Sequence, residues 1–185
     1  MQFKLAALAA VLSAVSHAQA ERTAADVVKE LNEITDIAQD THLLAASINS
    51  HTVAEKAPEM VHHYYDMIEL INKDLFSTHA GGPSSSSSSS EPLDLGGQAK
   101  ICEAYRNFAV VSVHLLEKTI EKRAELRSAG YARQLAGIAD ALHGGVGALS
   151  RDVVALVPAC RDGVGGDARA LDLSLRRAVA FFCYR

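Results

Sequence analysis

The fold is decided by the stretch from Thr23 to Ile48, TAADVVKELNEITDIAQDTHLLAASI. Its apolar positions recur at spacings of three and four, the periodicity of one face of an α-helix. The members of this stripe are Val27, Leu31, Ile34, Ala38, Thr41, Ala45 and Ile48. Thr23 and Asp26 form a capping-box pair that starts the helix. Acidic residues follow the opposite face, which indicates a solvated surface. The stretch therefore predicts a helix of about seven turns, buried along one side.

The same periodicity predicts two further helices, one on each side of the serine-rich stretch over residues 77–97. The second helix is expected to start near Pro58, a residue suited to the first helical position, and to end at Phe76. The third is expected over residues 98–127, with Gly130 as its left-handed C-terminal cap. The end of this third helix, Glu117 to Arg127, is a mixed-charge run that indicates an exposed helix.

Two more helices complete the pattern and are both marked by glycines. The fourth helix begins after Gly130, ends at Pro158 and carries three glycines in its middle, Gly144, Gly145 and Gly147. These glycines predict a kink, a close approach of two helices or a mobile segment. After a glycine-rich turn over 163–166, Asp167 is expected to cap the last helix. The expected fold is therefore all-α, an antiparallel bundle of about five amphipathic helices.

The chain divides into four segments on composition. Residues 1–20 look like a secretory signal peptide, because Lys4 precedes an apolar run and Ala18-Gln19-Ala20 offers small residues for cleavage. Residues 21–76 form the first helical hairpin. Residues 77–97, rich in serine, glycine and proline, are typical of a flexible linker. Residues 98–185 supply the three-helix part of the same bundle domain. A secreted, extracellular location follows from the first segment.

Composition also narrows the classes of partner. Removing Lys4 with the signal segment changes the formal net charge from −4 to −5, so neither nucleic acid nor an anionic membrane is expected as the main partner. No later segment is long and apolar enough to be a transmembrane helix. With aromatics at 5% and no tryptophan, a β-rich secreted domain is disfavoured.

Three cysteines remain after signal cleavage, so one bridge and one leftover thiol are expected in an oxidising compartment. If consecutive helices alternate in direction, Cys102 and Cys160 lie at the same end of the bundle and Cys183 at the other. This topology favours a Cys102–Cys160 disulfide. The alternative is that all three are small buried apolar residues.

Catalytic and metal-binding patterns are missing from the sequence. It contains no G-x-S-x-G, H-E-x-x-H or C-x-x-C motif and no phosphate-binding glycine loop. His62 and Asp66 share a helix face, but no further ligands converge with them at a specific spacing. We therefore expect no enzyme activity, no cofactor and no metal site.

Two stretches resemble the fungal hydrophobic surface-binding protein A family, which includes cell-wall galactomannoproteins. One is Ala25 to Ile34 with the following Leu43 to Ile48; the other is Leu126 to Pro158, with a break at Ala129-Gly130 and the run ALSRDVVALVP. The resemblance implies a secreted helical protein of the cell wall or its surroundings that adsorbs to hydrophobic surfaces. It also implies that a long-chain fatty acid can lie inside the bundle.

Small and hydroxylated residues on the stripes favour a lipid-binding interior, because they leave space that large side chains would fill. We predict an apolar tunnel with the walls Leu31, Ile34, Tyr64, Ile68, Phe108, Leu115, Leu142 and Leu149. A carboxylate head group would bond to Thr41, Tyr105 or Ser112. The alternative is an ordinary core whose hydroxyls bond their own helix carbonyls.

Two other functions remain open at this point. The helices can spread on a hydrophobic surface with their stripes exposed, as interfacial helices do. The chain can also be a protein-interaction module, such as an inhibitor or effector of a secreted partner whose identity is unknown.

Overall fold

The computed structural model describes residues 23–76 and 93–183, except for the side chains of residues 74–76. These ranges contain six α-helices and one 3-10 turn, and no strand. The helices are α1 (Ala24–Ala46), α2 (Val53–Phe76), α3 (Leu95–Glu121), α4 (Arg123–Ser128), α5 (Ala132–Leu156) and α6 (Arg161–Cys183), and the 3-10 turn spans Pro158–Cys160. The all-α class is confirmed. The predicted signal peptide and the serine run of the linker lie outside the described residues.

The five long helices form a closed ring in the order α1, α2, α5, α6 and α3, with α3 returning to α1. The interfaces between α1 and α3 and between α5 and α6 are broad, while α2 meets α5 along a narrower seam. Each helix turns its apolar stripe towards the centre of the ring. The stripe predicted for α1 is buried along its whole length, from Val27 to Ile48.

Helices consecutive along the chain alternate in direction, apart from the short α4. An ion pair of 3.5 Å joins Arg106 in the first half of α3 to Asp167 in the first half of α6, and Arg127, just after α3, contacts Phe181 at the end of α6, so the two helices run in parallel. We call the end of the bundle at which α3 and α6 finish the upper end. The hydrogen bond from Arg127 to the carbonyl of Phe181 lies there, at 3.1 Å.

The cysteine pair favoured by this alternation forms a disulfide. Cys102 near the start of α3 is joined to Cys160 before α6, with Cα atoms 6.6 Å apart, inside the usual range for such a bridge. Cys183 is an exposed free thiol on the last turn of α6. The disulfide thus fixes the lower end of α3 to the start of α6.

The predicted start of the second helix near Pro58 is wrong by about one turn. Helix α2 begins at Val53, and Pro58 lies inside it. The start is set by Thr52, whose side-chain oxygen accepts from the backbone of Asn49 at 3.0 Å and whose carbonyl accepts from Lys56 at 2.9 Å. This local hydrogen bonding outweighs the one backbone bond that a proline removes.

Both ends predicted for the third helix are also displaced. Helix α3 begins at Leu95, because Asp94 accepts a hydrogen bond from the backbone of Gly97 at 2.6 Å; residues 95–97 therefore belong to the helix and not to the linker. The helix ends at Glu121, and after Lys122 the chain forms the separate α4. The left-handed cap at Gly130 is confirmed, with φ of 90°. It closes α4 through a 2.9 Å bond from the Tyr131 amide to the Leu126 carbonyl.

The glycine-rich segment expected as a turn over 163–166 is helical instead. Helix α6 starts at Arg161, so Asp167 does not cap it. Two tertiary contacts fix this segment. The disulfide to Cys102 holds Cys160, the residue just before α6, and the side chain of Val164 is buried in the core, with 1% of its surface exposed. Such anchoring overrides the intrinsic cost of glycine in a helix, about 1 kcal/mol for each residue.

Of the three outcomes predicted for the glycines of α5, the structure shows a close approach of two helices. A Cβ atom added at Gly145 would lie 2.9 Å from Cγ2 of Ile71 on α2, whereas one added at Gly144 would meet nothing within 4 Å. Helix α5 continues through all three glycines. Gly145 thus allows α2 to lie against α5.

Alanine substitutions at these two neighbouring glycines are expected to have opposite effects. Gly144→Ala should raise the free energy of unfolding by about 0.5–1 kcal/mol, because alanine loses less backbone entropy in a helix. Gly145→Ala should lower it by about 1–2 kcal/mol, because the β-branched Ile71 must move. Urea denaturation of both variants measures the difference. Equal effects of the two substitutions would contradict the close approach.

Candidate functional site in the bundle interior

The interior of the ring contains two small cavities, each of about 10 Å³. The first cavity is lined by Tyr64, Met67, Phe108, Ser112, Leu115, Leu116, Leu142, Val146, Leu171 and Leu175. The second lies nearer the upper end and is lined by Tyr64, Leu116, Thr119, Leu135, Ile138, Ala139, Leu142, Ala178 and Phe182. Tyr64, Leu116 and Leu142 belong to both linings, so these three side chains separate the cavities.

The polar groups of the second cavity satisfy one another. The Thr119 hydroxyl donates to the carbonyl of Leu115 at 2.9 Å, so the Tyr64 hydroxyl donates to Thr119 at 2.7 Å. Burial raises the pKa of Tyr64 well above its ordinary value, and the hydrogen bond to Thr119 acts in the opposite direction. Tyr64 is therefore a neutral phenol at physiological pH.

Ser112 is the polar group that stands out in the first cavity. Its side-chain oxygen is buried and has no hydrogen-bond partner among the described residues. A water needs two to four polar partners, and a cavity of about 10 Å³ has barely the room for one. Ser112 therefore presents an unpartnered hydroxyl to an otherwise apolar space.

The other two predicted polar anchors have partners within the protein and line neither cavity. The Thr41 hydroxyl donates to the carbonyl of Ile37 in its own helix at 2.6 Å. The Tyr105 hydroxyl lies 2.6 Å from Ser150, which in turn donates to the Val146 carbonyl at 2.7 Å. Burial raises the pKa of Tyr105. The hydroxyls of Thr41 and Tyr105 therefore form hydrogen bonds within the bundle, as in the alternative of an ordinary packed core.

Half of the predicted walls line the cavities. Tyr64, Phe108, Leu115 and Leu142 do so. Leu31, Ile34 and Leu149 are buried in the core but outside both linings, and Ile68 is only partly buried at the edge of the core. The bundle thus contains two separate cavities where one continuous tunnel was predicted, because large side chains fill the space between them.

Several residues that line the cavities were not predicted, above all Met67, Leu116, Leu171, Leu175 and Phe182. The last three lie on the apolar stripe of the last helix, so their burial was foreseeable. Their position opposite Tyr64 and Phe108 depends on the register between helices. Periodicity along one helix carries no information on that register.

A paired set of serine substitutions tests whether Ser112 lacks a partner. Ser112→Ala is expected to raise the free energy of unfolding by about 1 kcal/mol, because it removes a buried unsatisfied hydroxyl. Ser150→Ala should lower it by about 1–3 kcal/mol, because it leaves the Tyr105 hydroxyl without its partner. Both values are obtained from chemical denaturation. Destabilisation by Ser112→Ala to the same extent as by Ser150→Ala would contradict this assignment.

No metal site or membrane-spanning helix is found in the described part of the chain. Over residues 23–76 and 93–183, no three His, Cys, Asp or Glu side chains are arranged to hold a metal ion. His62 and Asp66 form an exposed pair of 3.8 Å. Within the same ranges, every helix is too short or too polar to cross a lipid bilayer.

The architecture is shared by solved structures of proteins in complex with fatty acids. The structure of AfMp4p in complex with palmitic acid has a TM-score of 0.72 to this chain at 16% identity, covering 86% of this chain and 99% of AfMp4p. Ligand binding domain 1 of the Penicillium marneffei MP1 protein, complexed with arachidonic acids, has a TM-score of 0.71 at 16% identity. The match covers 86% of this chain and 98% of that domain's chain.

The second ligand binding domain of the same Penicillium marneffei protein, complexed with multiple arachidonic acids, has a TM-score of 0.70 at 12% identity, covering 90% of this chain and 100% of that domain. The three TM-scores show a shared fold, and at identities this low they show the fold alone. No protein-family model matches the chain, and no curated protein sequence does.

Proposed function

We propose that this chain is a secreted, non-enzymatic protein of a fungal cell wall or its surroundings that binds a long-chain fatty acid in the bundle interior. The observation that supports this most is the pair of apolar cavities on either side of Tyr64, Leu116 and Leu142. They lie in the centre of a fold whose solved examples hold palmitic and arachidonic acids.

Binding requires the ring to widen, because cavities of about 10 Å³ are far below the 300–1,000 Å³ of typical ligand pockets. Burial of an acyl chain supplies about 0.8 kcal/mol for each methylene, or about 11 kcal/mol for the fourteen methylenes of palmitate. This is enough to offset the displacement of several core side chains. The seam between α2 and α5 is the narrowest interface of the ring, so the ring opens there with the least disruption of packing.

Native mass spectrometry tests the proposal. Protein refolded without lipid and incubated with palmitate is expected to gain the mass of one or more palmitate molecules. A shorter acid such as butyrate, with far less apolar surface, should give no complex at the same concentration. If palmitate is never retained, while the folded protein still adsorbs to a hydrophobic surface, the proposal is wrong and surface adsorption takes its place.

Secretion is supported by the leader pattern over residues 1–20 and by the Cys102–Cys160 disulfide, a bond typical of oxidising compartments. Expression of the full chain in a fungal host should release protein that begins at Glu21 into the medium. N-terminal sequencing of that product checks the cleavage position. Retention of the whole product inside the cell would contradict export.

A further inference from the structure

A basic pocket lies at the upper end of the bundle, outside the interior cavities. It has a volume of about 340 Å³ and is lined by Arg123, Arg127, Ala180 and Phe181. Arg123 and Arg127 lie one turn apart on α4, and Phe181 lies on the last turns of α6. The pocket therefore forms where the short helix α4 meets the end of α6.

Three guanidinium groups converge on Phe181. The Cζ atom of Arg123 lies 4.9 Å from the centroid of the Phe181 ring, and that of Arg177 lies 5.4 Å from it. Arg127 donates to the Phe181 carbonyl at 3.1 Å. An arginine stacked on a ring keeps its N–H groups in the plane of the guanidinium, directed away from the ring face. The Phe181 ring thus holds Arg123, which lines the pocket, and Arg177, which lies beside it, in a position to donate to an anion.

Two acidic side chains lie close to the pocket along the chain. Glu121 is paired with Lys118, and Glu125 lies on α4 between Arg123 and Arg127. The carboxylate of Glu125 is outnumbered by the guanidinium groups of Arg123, Arg127 and Arg177 around Phe181. An anion that enters the pocket therefore meets a net positive surface.

The pocket and the second cavity lie on neighbouring faces of the last turn of α6. Phe181 lines the pocket, while the next residue, Phe182, is 6% exposed and lines the second cavity. Along α6 the two cavities extend from Leu171 to Phe182, a rise of about 16 Å. This is most of the length of an extended long acyl chain.

We infer that this arginine pocket binds the carboxylate head group of the fatty acid, with its acyl chain directed down the interior past Phe182. This inference rests on the proposed function. It assigns the head group to Arg123 and Arg177. Ser112, the one predicted anchor whose hydroxyl has no partner among the described residues, is not assigned to it.

The chemistry of a carboxylate favours the arginines. Beside Ser112 an ionised head group would be buried with one hydroxyl as its partner, and an uncompensated buried charge is strongly unfavourable. At the pocket the head group receives charge-assisted hydrogen bonds from a guanidinium and keeps its contact with water. The apolar chain alone then enters the core.

The test compares palmitate with methyl palmitate, which has the same chain without the charge. The full chain should bind palmitate at least tenfold more tightly than the methyl ester at low salt, and added salt should reduce this preference. The double variant R123Q/R177Q should lose at least tenfold in palmitate affinity and keep its affinity for the ester. Arg169→Gln, an exposed arginine earlier on α6, is the matched control and should change neither affinity.

Equal affinities of the unaltered protein for the acid and the ester would overturn the head-group assignment, and this comparison does not depend on whether the double variant folds. Unchanged palmitate binding by folded R123Q/R177Q would overturn it too. In both cases the proposed function stands, because the acyl chain is still bound. Binding of neither ligand by the unaltered protein would overturn both proposals.

Discussion

Replacing Cys102 and Cys160 with serine is expected to lower the free energy of unfolding by about 4 kcal/mol. The bridge closes a loop with a sequence separation of 58, and loop-closure entropy of the unfolded chain gives about this value for such a length. It is a large fraction of the 5–15 kcal/mol by which folded domains are usually stable. The bridge also fixes the start of α6, where three glycines weaken the helix.

Guanidinium denaturation of the double variant C102S/C160S measures this loss, with Cys183→Ser as the control. The control should be unchanged within about 0.5 kcal/mol, because Cys183 is exposed and unbridged. Hydrogen exchange should rise most over residues 158–170 in the double variant. Equal stability of C102S/C160S and the unaltered protein would show that the bridge does not constrain the fold.

The second large effect is expected from Leu142→Ala. Leu142 is 3% exposed and separates the two cavities, so its truncation joins them into a larger space. Without lipid, the free energy of unfolding should fall by about 3–5 kcal/mol, the usual range when a buried leucine leaves a cavity. Saturating palmitate should recover part of this loss, because a ligand that binds only the folded state stabilises it.

Leu156→Ala is the matched control on the same helix. Leu156 is 37% exposed, so its truncation should cost no more than about 1 kcal/mol, and palmitate should stabilise this variant as it does the unaltered protein. Thermal unfolding with and without palmitate gives both quantities. If palmitate stabilised L142A less than L156A, the acyl chain would not occupy the space around Leu142.

The helices of this fold were predictable where periodicity and local capping agree. Helix α1 has an unbroken stripe and the Thr23–Asp26 capping box, and the structure shows both. The predictions failed where tertiary contacts override local preference. The glycine-rich start of α6 is helical because Val164 and the disulfide anchor it, and α2 begins before Pro58 because of the hydrogen bonds around Thr52.

The candidate site was harder to predict than the fold. Four wall residues, among them Tyr64 and Leu142, line the cavities because they lie on stripes that face the centre. Which stripe positions surround a cavity depends on the register between α3, α5 and α6, which one sequence does not specify. The basic pocket was missed for a different reason. Arg123 and Arg127 lie in a mixed-charge run that is typical of an exposed helix, and only the fold brings them to Phe181.

Photo-crosslinking with a palmitate analogue that carries a diazirine near its methyl end tests the central claim most directly. After irradiation, digestion and tandem mass spectrometry, we predict adducts on the side chains around the first cavity, with Met67, Phe108 and Leu171 foremost. Unlabelled palmitate should compete for this labelling. Labelling confined to exposed apolar residues such as Leu43 and Leu173, or labelling that palmitate does not reduce, would contradict a fatty acid bound inside the bundle.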